Sequence, residues 1–151
     1  MITLRETNAD DLPVLFAHQA DAESATMAAF PSREREAFDA HWAKVLATPD
    51  GFAHSIFLDG VLAGNVVSFV RDDRRYVGYW IGREFWGRGV ATAGLAQFVE
   101  RVVTERPLHA HVAVHNIGSI RVLAKCGFVV ITDDAPAAPD DGVAEYLMCL
   151  T

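Results

Sequence analysis

Two glycines flank a basic residue near the middle of the chain, at Gly87-Arg88-Gly89, where a strand-like run gives way to a run with helical spacing. A helix that begins here directs several free backbone N–H groups at one point, and its dipole favours an anion there. Glycine lets a ligand approach closely, and Arg88 adds a cation. The pattern favours a phosphate site, although a tight strand-to-helix turn without a ligand would use the same residues.

The residues around this turn exclude two familiar phosphate loops. A nucleoside triphosphate loop requires a Lys followed by Ser or Thr after its last glycine, and neither is present. The dinucleotide-binding fingerprint requires a third glycine, which is also missing.

Histidines and cysteines are further candidates for chemistry. His109, His111 and His115 are spaced to project from one face of a strand, which would suit a metal site or a proton relay. One strand makes a poor metal cage, so we expect partly buried or surface histidines and no bound metal. Cys126 and Cys149 lack metal-ligand spacing and predict two buried thiols.

An acidic cluster near the C-terminal end could attract a cationic amine; its members are Asp133, Asp134, Asp140 and Asp141. A solvated acidic loop is the preferred interpretation, because runs of charge usually serve solubility.

The elements that position these residues follow from hydropathy patterning. Alternation predicts a strand from Ile2 to Glu6, and Asn8 is the expected N-cap of the first helix. Ser32 is the expected N-cap of a second helix with an apolar face, formed by Phe38, Trp42, Val45 and Leu46. The segment from Asp21 to Phe30 shows no pattern that assigns it.

Three antiparallel strands are predicted before the glycine turn. Phe52 to Leu58 and Val61 to Val70 are joined by Asp59-Gly60, a strong hairpin signal. A polar turn, Arg71 to Arg75, leads into the third strand, Tyr76 to Ile81.

Helical spacing then continues from Gly89 to Thr104, and Arg106-Pro107 ends it. A strand is predicted at residues 108–114, and Asn116 starts a short helix that Cys126-Gly127 closes. A final strand pair is predicted at residues 128–131 and 143–150. This order predicts a mixed α+β fold with a mostly antiparallel sheet.

Composition narrows the classes of protein. At 151 residues, the chain fits one domain covering 1–151. The formal net charge is −7, and no run of Lys and Arg forms a nucleic-acid-binding stripe. No leader pattern and no membrane-spanning apolar run are visible. We therefore expect a cytoplasmic protein without nucleic-acid or membrane partners.

The segment from Tyr79 to Thr92 reads Tyr-Trp-Ile-Gly-Arg-Glu-Phe-Trp-Gly-Arg-Gly-Val-Ala-Thr and resembles motif A of the GNAT superfamily of N-acetyltransferases. Gly89 and Ala91 match the family pattern Gln/Arg-x-x-Gly-x-Gly/Ala. Trp86 takes its first place, as is usual in the branch of ribosomal-protein alanine acetyltransferases. Asn116 to Phe128 resembles motif B of that branch, with an Asn-x-x-Ser start and a Lys-x-Gly-Phe finish.

This resemblance implies the GNAT fold, a mostly antiparallel sheet of about seven strands, splayed at its middle, with helices on both faces. It implies acetyl-CoA as cosubstrate and a primary amine as acceptor, and a homodimer is possible. Backbone amides of Trp80, Ile81 and Gly82 would hold the pantetheine and the thioester. The pyrophosphate would lie on the glycine loop, Gly87, Arg88, Gly89, Val90, Ala91 and Thr92.

The resemblance also implies roles for single residues. Asn116 would bond the pantetheine arm, cap its helix, or do both. Ser119 would protonate the departing thiolate, or be only a helix-start serine. Glu84 is a candidate base, directly or through water, against the alternative of an exposed loop carboxylate; a water chain would also serve. A non-catalytic acyl-CoA-binding module and a phosphate scaffold for another nucleotide are the competing classes.

Overall fold

The computed structural model describes residues 1–28, 32–131 and 144–151, which form one seven-stranded sheet and five α-helices. The strands are β1 (Ile2–Glu6), β2 (Phe52–Leu58), β3 (Val61–Arg71), β4 (Arg74–Ile81), β5 (Leu108–Ala113), β6 (Val129–Val130) and β7 (Glu145–Leu150). Their spatial order is β1-β2-β3-β4-β5-β7-β6, and only the β4–β5 pair is parallel. The predicted mixed fold with a mostly antiparallel sheet is confirmed.

The helices cover both faces of this sheet. They are α1 (Leu12–Ala20), α2 (Ala22–Ala28), α3 (Arg35–Ala47), α4 (Val90–Arg101) and α5 (Ile117–Lys125). One core cluster joins the sheet to α4 and α5 around Phe98, Leu95 and Leu123. A second, smaller cluster on α1 and α3 is built on Leu15, Phe38 and Trp42, with Val45 packed against it. Leu46, the fourth residue of the predicted apolar face, is exposed.

The helix starts differ from the predictions in two places. Asn8 forms a capping box with Asp11, but the box opens a 3₁₀ turn, Ala9–Asp11, that leads directly into α1. Ser32 does not cap α3; its hydroxyl donates to the carbonyl of Gln19 at 2.8 Å, and α3 starts after Glu34 without a side-chain cap. The Ser32 hydroxyl, which the local pattern assigns to a helix cap, is therefore engaged in a long-range hydrogen bond instead.

The two hairpins are tight. Asp59-Gly60 turns with positive φ at both residues, as predicted. The second turn is shorter than expected, because β3 extends to Arg71 and β4 starts at Arg74. Asp72 and Asp73 alone make this turn, at φ 51° and 63°.

Three smaller differences concern the presence and the length of elements. The segment between the first two predicted helices contains α2, α4 ends at Arg101 rather than Thr104, and β6 is only two residues long. The predicted acidic loop from Asp133 to Gly142 lies outside the described residues.

The sheet opens between β4 and β5. These neighbours share one residue pairing, Tyr76 with His109, and then diverge. A β-bulge at Ala63 shifts the register of β3 next to this opening, and the Ala63 carbonyl accepts the Gly82 amide at 2.8 Å. The splay implied by the resemblance is therefore present at the end of β4.

Candidate functional site

The glycine loop connects the end of β4 to α4. Gly87 and Gly89 both have φ of 75°, and a Cβ built on either would meet nothing within 4 Å. A 3₁₀ turn, Arg83–Phe85, precedes the loop, and the Trp86 indole donates to the Ile81 carbonyl at 3.0 Å. Helix geometry leaves the first amides of α4 without an acceptor within the helix. The loop thus offers open backbone donors at a fixed position.

A groove with a cavity volume of about 480 Å³ runs along the end of β4, where β4 is no longer paired with β5. Its walls combine residues of the β4 end, the glycine loop, the first turn of α4 and α5. Nine residues proposed from sequence line it together: Trp80, Ile81, Gly87, Gly89, Val90, Ala91, Thr92, Asn116 and Ser119. The two sequence motifs, separated by two elements in the chain, therefore form one concave surface.

The start of α5 is held by its own side chains. The Asn116 side-chain oxygen accepts the Ser119 amide at 3.2 Å, so Asn116 is the helix N-cap. The Ser119 hydroxyl is hydrogen-bonded to the phenol of Tyr79 on β4. Asn116 and Ser119 both line the groove.

Residues 1–129 match the family model described as "Acetyltransferase (GNAT) domain". The chain belongs to the GNAT acetyltransferase family. The match covers both the splayed strand with its glycine loop and the Asn116 to Phe128 segment.

Solved structures share this GNAT fold at low sequence identity. The spermidine N-acetyltransferase from Vibrio cholerae, in complex with CoA and spermine, is 16% identical with a TM-score of 0.83, over 99% of this chain and 94% of that one. A GNAT-family acetyltransferase from Bacillus anthracis is 13% identical with a TM-score of 0.81, over 99% and 93%. The aminoglycoside acetyltransferase AAC(6')-Ib, in complex with ribostamycin and coenzyme A, is 18% identical with a TM-score of 0.79, over 99% and 93%. A comparison with curated protein sequences gives no significant match.

Three of the proposed site residues, Gly82, Arg88 and Glu84, do not line the groove of this GNAT domain, and Trp80 lines it without offering its amide. The Gly82 amide is bonded to the Ala63 carbonyl, so it is not free for a ligand. Strand hydrogen bonds alternate in direction, so the Trp80 amide also points to β3 and only that of Ile81 points into the gap. Arg88 is exposed at the tip of the loop, and Glu84 is exposed on the 3₁₀ turn.

Glu84 instead lies near a histidine that the sequence did not single out. His18 of α1 is buried, and its Nδ1 has no hydrogen-bond partner among the described residues. Its ring packs so closely on Gly82 that a Cβ there would lie 2.7 Å from Nε2. Burial lowers the pKa of His18, and the charge of Glu84 opposes this shift only in part.

Tyr79 on β4 lines the groove, and sequence reasoning did not single it out as a site residue. Burial raises the pKa of its phenol to about 12, although the hydrogen bond to Ser119 acts in the opposite direction. Strand alternation does place Tyr79 on the face of β4 that carries Val77 and Ile81, towards α4 and α5. The identity of its partner depends on long-range packing.

Helix α2 forms another wall of the groove. The sequence did not predict it, because the segment from Asp21 to Phe30 shows no pattern that assigns it. Ser24, Met27 and Ala28 line the groove, and Ser24 is anchored by its amide and hydroxyl to the Asp21 carboxylate, each at 2.9 Å. Arg83 of the 3₁₀ turn pairs with Asp21 at 3.1 Å. These bonds tie α2 to the strand end that carries the glycine loop.

Two cations complete the groove. Arg121 and Lys125 of α5 line it, and no carboxylate of the described residues does. This wall suits an anionic ligand next to the helix start of α4.

The histidine prediction is wrong for one member. His109 and His111 share a face of β5, but β5 ends at Ala113, and His115 lies beyond it with Nε2 3.2 Å from the Thr26 carbonyl. Within residues 1–28, 32–131 and 144–151, no cluster of three His, Cys, Asp or Glu side chains could hold a metal ion.

Cys149 is buried as predicted, whereas Cys126 is only partly buried and its thiol donates to the Thr92 carbonyl at 3.6 Å. No helix in the described part of the chain is long and apolar enough to cross a membrane.

Proposed function

We propose that this GNAT acetyltransferase transfers the acetyl group of acetyl-CoA to a primary amine by direct attack in a ternary complex. The observation that carries the proposal is the groove at the β4 end, where the glycine loop, the start of α5 and α2 meet. One wall offers backbone donors and cations for the cosubstrate. The α2 wall is left for the acceptor.

The groove supports an assignment of the cofactor-binding residues. The amides of the loop from Gly87 to Thr92 would hold the pyrophosphate at the start of α4, with Arg88, Arg121 and Lys125 as nearby cations. The Ile81 amide would hold the pantetheine or the thioester carbonyl. Asn116 caps α5 and still faces the groove, so it would contact the pantetheine arm as well.

Catalysis needs a neutral amine, whereas an alkyl ammonium has a pKa of about 10.4. We assign Ser119 as the donor to the departing sulfur, because Ser119 lines the groove beside the end of β4. Glu84 is exposed and outside the groove, so it would act as a base only through water.

The class of amine is a finer proposal. Spermine and ribostamycin, bound by two structures of the same fold, both carry several amino groups. We propose that the acceptor is a small-molecule amine. The alternative acceptor is a protein N-terminus, as in the branch of ribosomal-protein alanine acetyltransferases. The acidic cluster that could attract a cation lies outside the described residues.

We further propose that residues 1–151 act as one catalytic domain, because strands from both ends of the chain join the same sheet. A cytoplasmic location and a homodimer stay predictions from sequence and resemblance.

The test is thiol release from acetyl-CoA with a panel of a polyamine, an aminoglycoside and a peptide with a free N-terminus. Amine-dependent release supports the proposal, and the best amine names the acceptor class. Tight CoA binding without release from any amine would favour the binding module. Stabilisation by ATP but not by CoA would favour the phosphate scaffold and overturn the proposal.

A further inference from the structure

Two hydroxyl groups from distant parts of the chain meet in the groove wall. Tyr79 lies on β4 and Ser119 in the first turn of α5, 40 residues apart in the chain, and their side-chain oxygens are hydrogen-bonded. The phenol is also placed to donate to the Ser119 carbonyl, but at 3.4 Å this contact is longer than an ordinary O–H···O hydrogen bond.

We propose that Tyr79 is a positioning residue, whose phenol donates to Ser119 and thereby directs the Ser119 hydroxyl hydrogen into the groove, towards the sulfur of the acyl donor. This inference rests on the proposed function. It concerns how Ser119 is oriented and leaves open which amine reacts.

The direction of the hydrogen bond follows from the chemistry of the two groups. A phenol is a stronger acid than an aliphatic alcohol, so it is the better donor, and the serine oxygen is the better acceptor. The Tyr79 phenol also stays protonated far above neutral pH, because burial raises its pKa to about 12. A serine that accepts from Tyr79 keeps its own hydrogen for another partner.

Without Tyr79, the Ser119 hydroxyl would be free to rotate. A serine in a helix can turn its hydroxyl onto nearby backbone groups, which removes it from a ligand. Asn116 holds the Ser119 amide at 3.2 Å but does not contact its hydroxyl. Among the contacts of the described residues, Tyr79 is the group that fixes this hydroxyl.

The reaction balances without consuming either hydroxyl. The amine nitrogen forms a bond to the acetyl carbon, the carbon–sulfur bond breaks, and sulfur leaves with the electron pair. The Ser119 hydrogen stabilises that pair as it develops. The proton lost by the nitrogen neutralises the thiolate through solvent, giving the amide and the free thiol.

The first experiment compares Tyr79→Phe, Ser119→Ala and the double variant, using acetyl-CoA and the best amine of the panel. We expect Ser119→Ala to lower kcat about 100-fold and Tyr79→Phe to lower it roughly tenfold or more. The KM for acetyl-CoA should change less than about twofold in both, since neither hydroxyl is assigned to ground-state binding. The double variant should be no slower than Ser119→Ala, because Tyr79 acts through Ser119.

Tyr76→Phe is the matched control, since Tyr76 is on the same strand and faces Phe69 and His111 rather than the groove. It should keep wild-type kcat. Full activity of Tyr79→Phe, or independent losses that multiply in the double variant, would overturn the inference. Absence of amine-dependent release from the wild type would instead count against the proposed function.

A second experiment does not depend on the folding of Tyr79→Phe. A fluorinated tyrosine at position 79 keeps the shape of the side chain but ionises at lower pH. Once ionised, it accepts the Ser119 hydrogen rather than donating its own. We expect kcat to gain a descending alkaline limb that the wild type lacks, and an unchanged pH profile would overturn the inference.

Discussion

At the residue scale, the groove depends on positions where a side chain is missing as much as on those where one is present. Gly89 is the residue before α4, it has a left-handed backbone, and the space beside it is open. An L-residue in this region costs about 1–2 kcal/mol. A ligand that approaches the loop from that open side would meet any added side chain.

We predict that Gly89→Ala loses CoA affinity about tenfold or more, measured by isothermal titration calorimetry. Gly60→Ala is the matched control, because Gly60 also has positive φ and an open surrounding but lies in the β2–β3 hairpin. Both variants should lose about 1 kcal/mol of folding stability, whereas only Gly89→Ala should lose affinity. Equal CoA affinity in the two variants would refute the assigned loop.

Buried histidine gives a prediction on pH. The pKa of His18 is lowered in the folded chain by burial, whereas an unfolded histidine titrates at about 6.5. Below that pH the unfolded state takes up protons that the folded state resists, so stability is full above about 6.5 and falls as pH drops towards the folded pKa. The pKa values of His41 and His54 are also lowered by burial, so they add to the same fall.

We therefore expect Tm to drop between pH 7 and pH 5, with a smaller drop in His18→Gln. His111→Gln, the same change at an exposed histidine, is the control. An identical pH slope in the wild type and His18→Gln would show that His18 does not contribute.

At the element scale, local pattern located most strands and helices but failed where long-range contacts decide. The 3.6-residue spacing of apolar residues in α4 and their period of two in β3 and β4 can be recognised from the sequence alone. The α2 segment has a small, mostly Ala, Ser and Met composition that favours no face. Its position comes from the Asp21 and Arg83 contacts.

The same limit applies to the candidate site. Gly87 and Gly89 could be proposed because their type and spacing carry chemistry locally, whereas Asn116 and Ser119 are proposed because their segment resembles motif B of the family. Tyr79 alternates onto the right face, but only the fold shows that α5 delivers Ser119 to it. Conversely, Gly82 fits the pattern, yet the bulge at Ala63 takes its amide.

The contact of α4 with β2 gives a prediction at this scale. Gly94 faces Ile56 so closely that a Cβ would lie 2.8 Å from its Cδ1, and Ile56 is fully buried. Alanine would gain about 1 kcal/mol of helix propensity but overpack the core at a typical cost of about 1–3 kcal/mol. We expect Gly94→Ala to be destabilised in urea denaturation, and Ile56→Val to recover part of the loss in that background.

Gly118→Ala in α5 is the matched control, because its nearest contact would be 4.0 Å away. That variant should be as stable as the wild type or slightly more so. A Gly94→Ala variant more stable than the wild type would show that the helix can shift away from the sheet.

At the scale of the whole molecule, the sheet is divided by its own opening. Strands β1 to β4 form one half and β5 to β7 the other, and a single residue pairing joins them. The proposed cosubstrate would contact both halves, through the Ile81 amide on one side and Asn116 and α5 on the other. Binding should therefore stabilise the fold as a whole.

We predict that CoA at a hundredfold excess over its Kd adds about 2.7 kcal/mol of stability, or roughly 5–10 °C in Tm for a chain of this size. Thermal denaturation with CoA, with ATP and without ligand measures it. Equal stabilisation by ATP would contradict the assigned specificity.

The single β4–β5 pairing also has a consequence for local opening of the folded protein. Backbone amides are protected from hydrogen exchange in cooperative units, and a sheet joined by one pairing has a natural boundary between two such units. The Tyr79–Ser119 hydrogen bond crosses that boundary, from β4 to α5. The two side chains proposed to orient the Ser119 hydroxyl therefore also connect the two halves of the sheet, and we expect local opening at this boundary to break the same bond.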